Sequence, residues 1–295
     1  MRALQRAVTR QAGGKPFSPT VARKNRSVLW NVLEYAVEQR LIDTNPLANV
    51  KWNEMSKGKR KVDKRTVPNP VQARTLLRVV QGTKRSGPRL YAFFAAMYFA
   101  ALRPEEAVAL NKRNLSLPRP TWNAGSEKYD YGWGTLYVEE ARPHSGSRWT
   151  DEGRPRDRRG LKSRAHGTGR AVPCPPELTQ ILVEHVDVYG YGEDRQLFSG
   201  EQAGEIPNIT YTRAWRAARS RAFTADVQAT PLAARPYDLR HAAVSTWLKA
   251  GIDPALVAEW AGHSVEVLYE VYAAVLDRGE ETARRQVQAA LGHKV

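Results

Sequence analysis

With one cysteine, Cys174, among 295 residues, the chain can form no disulfide within itself. Cys174 stands in the strand-like stretch RAVPCP, where a buried thiol is expected rather than a nucleophile. The six histidines, at 144, 166, 185, 241, 263 and 293, show neither an HExxH motif nor the Cys/His spacing of a metal site, so no metal and no cofactor are expected. Long apolar runs are missing too. None approaches the roughly 20 residues of a spanning helix, and MRALQRAVTR lacks the apolar core of a signal peptide. The expectation is a soluble cytoplasmic protein without a membrane partner. Acidic residues are scarce: 30 Asp and Glu face 46 Lys and Arg, a net charge of +16. Such a field favours a polyanion, most simply nucleic acid, because neutralised phosphates release counterions.

The excess is concentrated at one end. Residues 1–65 hold 15 Lys and Arg against 5 Asp and Glu. Between Ser18 and Val50, Val28, Leu29, Val32, Leu33, Ala36, Val37 and Leu41 recur at helical spacing, predicting one long amphipathic helix stopped at Asn45-Pro46. A shorter helix is expected over Arg2 to Gln11, before Gly13-Gly14 and Pro16. Residues 1–55 thus read as a thin helical domain. SKGKRKVDKR, at 56–65, carries six cations in ten positions, among them Lys57, Lys59, Arg60 and Lys61. It reads as a linker over 56–66, solvated or following a DNA backbone, and a flexible basic tether does both.

From 67 to 295 the pattern is globular, with a core that 42% apolar residues can build. Helices are expected over Pro70 to Val80 and Arg89 to Ala101, the second strongly apolar. Residues 117–160 are rich in Pro, Gly and Trp, with a strand at Thr135–Val138 and a long loop from Pro143 to Arg159. Strands near Gly160–Ser163 and Arg170–Pro173 are expected to complete a small sheet, and helices dominate from Pro176 onward. The fold class is therefore mainly α with a small β-sheet (α+β).

Three segments carry chemistry: ALRPEE at 101–106, YDLRH at 237–241 and GHSVEVLYEVY at 262–272. Arg103 precedes Pro104 at a helix start, where Glu105 and Glu106 suit the dipole, but taken alone it reads first as an Arg in a turn paired with an acid. Arg240 falls off the expected apolar stripe Leu239, Ala243, Trp247 and Ala250, with Tyr237 one turn before it on a shared face and Gly251 closing the helix. By itself it reads as a surface Arg or as a phosphate grip. His263 lies between Gly262 and the N-cap candidate Ser264, as turn histidines often do. Tyr272 belongs to a stripe with Val265, Leu268, Tyr269 and Val275, where an aromatic is usually core.

Taken as a set, these segments resemble the catalytic boxes of the tyrosine recombinases, the phage-integrase family, in their actinobacterial integrase-like form. The match is specific over 98–110 and 236–275 and spans roughly 25–290, including RKNRSVLWNVLEYAVEQRLIDTNPL, which looks like the end of the family's core-binding domain. The resemblance implies a site-specific recombinase that cuts and rejoins DNA through a 3′-phosphotyrosyl intermediate. Arg103 and Arg240 would clamp the phosphate, His263 would assist, and Tyr272 would attack, with Tyr269 as the fallback. Lys162 in LKSR resembles the family's hairpin lysine, apt because its proton can pass to a leaving alkoxide. Arg164 would contact DNA beside it.

Two positions depart from the family. Ala100-Ala101 replaces the usual Thr-Gly. Tyr237 replaces the His of His-x-x-Arg, and a neutral phenol donates a hydrogen bond but is a poor base. His241 reads as a supporting residue rather than a proton carrier. The implied partners are double-stranded attachment-site DNA, three further protomers in a transient tetramer onto which the helix near Glu280–Leu291 docks, and an accessory DNA-bending or directionality factor. The location implied is cytoplasmic, on the nucleoid. The helical part ahead of the catalytic domain is shorter than the family's. A non-catalytic DNA-binding remnant and a type IB topoisomerase-like enzyme are the alternatives.

Overall fold

The computed structural model describes residues 2–50, 62–150, 152–161, 168–276, 284 and 287–292. The chain divides into two compact units, Met1–Arg60 and Lys61–Val295.

The first unit holds helices α1 (Arg2–Thr9) and α2 (Pro19–Glu38). Ser18 caps α2, its hydroxyl accepting from the Val21 amide at 3.4 Å, and Pro19 enters at the first turn, where its missing N–H is not needed. The helix ends at Glu38, well before the Asn45-Pro46 stop that its apolar spacing predicts, and Arg40 takes a left-handed φ of 56°. Asn45 then ties the returning chain to α2: its Nδ2 donates to Glu34 Oε1 at 2.6 Å and its Oδ1 accepts from the Leu47 amide at 3.0 Å. The Asn-Pro pair builds a turn that seats Leu47, which is wholly buried. The expected buried stripe is corrected as well. Val28, Val32 and Leu41 are 56%, 57% and 75% exposed, because so thin a unit offers a helix little to pack on.

The second unit is mainly helical: α3 (Pro70–Gln81), α4 (Gly87–Phe99), α5 (Pro104–Ala109), α6 (Pro176–Tyr189), α7 (Asn208–Ala222), α8 (Ala225–Ala229), α9 (Asp238–Lys249), α10 (Pro254–Ala261) and α11 (Val265–Leu276). Proline opens α3, α5, α6 and α10. α4 buries Leu90, Phe93, Phe94 and Met97 and packs its rings on Phe198, Tyr211 and Trp215. Burying each such side chain contributes about 1.5–3 kcal/mol.

Between α5 and α6 lie seven short strands: β1 (Leu115–Ser116), β2 (Thr121–Asn123), β3 (Lys128–Asp130), β4 (Gly134–Val138), β5 (Glu140–Ala141), β6 (Arg159–Gly160) and β7 (Arg170–Cys174). The main sheet is antiparallel in the order β1-β4-β7, with Leu136 opposite Val172 and Val138 opposite Arg170. Leu136, Val138, Val172 and Cys174 point into the core, and burial pushes the Cys174 thiol up to about 11. Part of the strand expected over Gly160–Ser163 lies outside the described residues. Its described part, β6, pairs with β5 rather than with the main sheet among the described residues, since Arg159 and Gly160 have no apolar face to bury.

Two core clusters meet on α9. Leu239 and Ala242 face the larger one, built on α3, α4, α6, α7 and the sheet; Ala243, Val244 and Leu248 face a smaller one with Val257, Ala261, Leu268 and Tyr272. α9 is thus buried nearly all round rather than along one stripe, and Arg240, expected off that stripe, has no exposed surface. Ala250, expected on it, is exposed. Gly251 follows with φ 90°, as the helix-closing glycine predicts.

Candidate active site

Arg103 is the N-cap residue of α5, in extended conformation, and Glu106 three residues on closes the cap by accepting from the Arg103 amide at 2.9 Å. The same carboxylate accepts from the Arg103 guanidinium at 2.5 Å, while the other guanidinium arm donates to the Gly262 carbonyl at 2.9 Å. Just before it, Ala101 holds a φ of 49°, a left-handed conformation that glycine takes without steric cost. A buried alanine therefore holds backbone strain at this position.

Glu106 is the electrostatic centre. Arg170, at the start of β7, clasps it with two hydrogen bonds of 3.0 and 2.7 Å, and Arg240 lies 3.8 Å away. Burial alone would raise its carboxyl, but Arg170, Arg240 and Arg103 outweigh it and hold the group at about 2. Three guanidinium groups around one carboxylate leave the cluster positive. Arg170 also donates from Nε to the Trp260 carbonyl at 2.9 Å and lies against Gly262, which takes a φ of 62° at the end of α10. Sequence reasoning missed Arg170. The one available signal is a cation opening an otherwise apolar strand.

Arg240 is pinned on both arms: Nη1 donates to the Ala101 carbonyl and Nη2 to the Ala261 carbonyl. Nη2 also lies 2.9 Å from His263 Nε2. A guanidinium can only donate, so His263 Nε2 must accept and its ring proton sits on Nδ1. That Nδ1–H and the Nε–H of Arg240 are buried donors without a partner among the described residues. Buried donors left so are costly, and oxygens of an anion would satisfy them.

Tyr272 joins this cluster from α11. Its side chain is wholly buried, and its hydroxyl lies 2.8 Å from Nδ1 of His241, the residue after Arg240. The rings of Tyr237, His241 and Tyr272 follow one another, with centroids 5.0 and 5.7 Å apart, and His263 lies 6.2 Å from Tyr272. Tyr237 also lies beside the Arg103 guanidinium and interacts with it electrostatically. Burial drives the Tyr272 phenol well above its usual range, only partly offset by Arg240 and Arg103. Burial also lowers both histidines, His241 to about 4 with help from Arg240 and Arg235, and His263 to about 3 with help from Arg240 and Arg103. At neutral pH both are uncharged bases beside cations.

The structure thus brings together Arg103, Tyr237, Arg240, His263 and Tyr272. Tyr269 is 49% exposed and Val265 41%, so among the described side chains the expected apolar stripe of α11 is buried at Leu268 and Tyr272. Lys162, Arg164, Lys57, Lys59, Arg60 and Lys61 lie outside the described residues.

Neither a protein-family model nor a curated protein matches the amino-acid sequence. Solved structures do match the fold. XerH site-specific recombinase, in a post-cleavage complex with palindromic difH substrate, aligns over 96% of this chain and 71% of its own at 16% identity, with a TM-score of 0.62. The Tn1549 transposon integrase, in complex with transposon right end DNA, aligns over 94% and 80% at 15% identity and a TM-score of 0.57. Lambda integrase bound to DNA aligns over 89% and 77% at 13% identity and a TM-score of 0.53. The chain has the tyrosine-recombinase fold. Within that fold, the cluster around Glu106 is the convergence of the three sequence segments that carry the resemblance. Among the described residues, no helix is long and apolar enough to cross a membrane and no group of His, Cys, Asp and Glu could hold a metal ion.

Proposed function

We propose that the protein is a site-specific DNA recombinase that cuts and rejoins DNA through a phosphotyrosyl intermediate. The observation that carries this reading is the convergence of segments far apart in sequence: Arg103 on the Gly262 carbonyl at 2.9 Å, Arg240 on His263 at 2.9 Å, and His241 on the Tyr272 hydroxyl at 2.8 Å. A pentacoordinate phosphate gains negative charge, and this cluster offers fixed positive charge with buried donors aimed from Arg240 and His263. Tyr272 forms the Oη–P bond as the P–O5′ bond breaks, and Lys162 gives the departing 5′-oxygen its proton. The phosphodiester energy stays in the covalent link, so a second 5′-hydroxyl can rejoin the strand without ATP.

The partner is double-stranded attachment-site DNA, bound in part through the basic residues of the first 65, including Lys57, Lys59, Arg60 and Lys61, and through Arg164. Protomers assemble on it as a transient tetramer, an accessory factor sets direction, and the location is the bacterial nucleoid. The test is incubation with a nicked suicide DNA carrying the candidate attachment site, followed by a denaturing gel, with Tyr272→Phe beside the wild type. A covalent band lost in the variant is expected. Salt-sensitive binding without a band would instead support a non-catalytic DNA-binding protein, and relaxation of supercoils by a monomer a topoisomerase-like one.

A further inference from the structure

We propose that His241 is the catalytic proton acceptor for Tyr272, a role that Tyr237 cannot fill in this chain; the assignment rests on the recombinase reading above. His241 Nδ1 is 2.8 Å from the Tyr272 hydroxyl, whose only hydrogen-bond partner among the described residues it is. A phenol buried so deeply ionises only if its proton has somewhere to go as the bond to phosphorus forms. Geometry leaves few rivals. His263 has committed Nε2 to Arg240 and carries its proton on Nδ1, so it is a donor toward the site. Tyr237 faces the Arg103 guanidinium, which can only donate, and a neutral phenol is a weak base.

The imidazole is held for this task. It sits on α9 directly after Arg240, and Tyr237 meets its ring edge-on at 5.0 Å. The titratable and charged groups facing it are Arg235, Tyr237 and Arg240 along its own segment, Tyr272 from α11 and His263 from the turn before α11. Burial and the two arginines keep the ring unprotonated at neutral pH, with Nδ1 accepting and the ring proton on Nε2. The step then balances. The Tyr272 proton moves to Nδ1 as Oη bonds phosphorus, the P–O5′ bond breaks, and the 5′-oxygen takes a proton from Lys162. In the return step an incoming 5′-hydroxyl gives its proton to the Lys162 amine as it attacks phosphorus, the P–Oη bond breaks, and the His241 imidazolium gives the proton back to Tyr272. The negative charge of the bound phosphate raises the proton affinity of His241 when the transfer occurs.

The test uses the full chain and single-turnover cleavage of the nicked suicide DNA from pH 5.5 to 9, for wild type, His241→Asn and His241→Gln. Each substrate is made twice, with the ordinary 5′-bridging oxygen and with a 5′-bridging sulfur, which departs as a thiolate without needing a proton. Asn keeps a hydrogen-bond acceptor near the Nδ1 position but cannot take a proton. We expect cleavage by His241→Asn to fall about 10²–10⁴-fold on both substrates. Its remaining rate rises about tenfold per pH unit, as hydroxide takes over, while wild type stays level between pH 6 and 8. DNA affinity and melting temperature stay close to wild type, and His241→Gln serves as the second variant if Asn disturbs folding. Cleavage by His241→Asn within about threefold of wild type, or a deficit that disappears with the sulfur substrate, overturns the assignment while leaving the recombinase reading intact. A wild-type protein that forms no covalent product overturns both.

Discussion

Glu106 and Arg170 meet through two parallel hydrogen bonds of 3.0 and 2.7 Å, each side chain about 1% exposed. Their sequence separation is 64, and the pair joins β7 to α5 beneath the candidate site. Breaking a buried pair by removing one partner costs about 3–5 kcal/mol when the other charge is left alone, an upper bound here because Arg103 and Arg240 still face Glu106. Arg170→Met is therefore expected to lower stability, by no more than that amount, read from urea unfolding. Arg170→Lys keeps the charge but loses the fork and the bond to the Trp260 carbonyl, so it is expected to fall between the two.

Acid is expected to weaken the fold in two stages. His185, His241 and His263 sit at about 4, 4 and 3, below their ordinary 6.5, so the unfolded chain takes protons that the folded chain refuses. Their share of stability is complete above pH 6.5 and lost as pH falls toward 4 for His185 and His241 and toward 3 for His263. Glu106, depressed from 4.5 to about 2, adds a second loss between those values. Urea midpoints are expected to be level from pH 7 to 8 and to decline from about 6.5 downward. Stability that rises between pH 6.5 and 5 would contradict this accounting.

Gly262→Ala tests the turn that carries His263. A Cβ at that position would meet Arg170 Nη1 at 3.0 Å and Cζ at 3.1 Å, and its φ of 62° disfavours any side chain. The left-handed backbone alone costs about 1–2 kcal/mol. Because the same residue offers its carbonyl to Arg103, cleavage of the suicide substrate is expected to fall at least tenfold, with DNA affinity little changed. Equal losses in both would point to a general folding defect instead.

What could be read from the amino-acid sequence follows the range of the forces involved. Helices α3 and α4 announce themselves through local spacing and proline starts, and the spacing from His263 to Tyr272 lies within one short segment. The end of α2 was not legible, because Asn45 acts by reaching back to Glu34. Arg170 and His241 were undervalued for the same reason: their partners Glu106 and Tyr272 are 64 and 31 residues away. Apolar periodicity rightly buried Tyr272 but wrongly buried Tyr269, since it cannot tell which residues of a stripe receive a neighbour. The buried position of Arg240 was hidden by its charge, which the Ala101 and Ala261 carbonyls and Glu106 compensate only in the folded chain.

The most direct test of the central claim is to digest the covalent protein–DNA product with nuclease and protease and locate the nucleotide adduct by mass spectrometry. The account predicts a 3′-linked nucleotide on Tyr272 and none on the Tyr272→Phe protein. An adduct on the exposed Tyr269, or on any residue outside the cluster around Arg240, would contradict it.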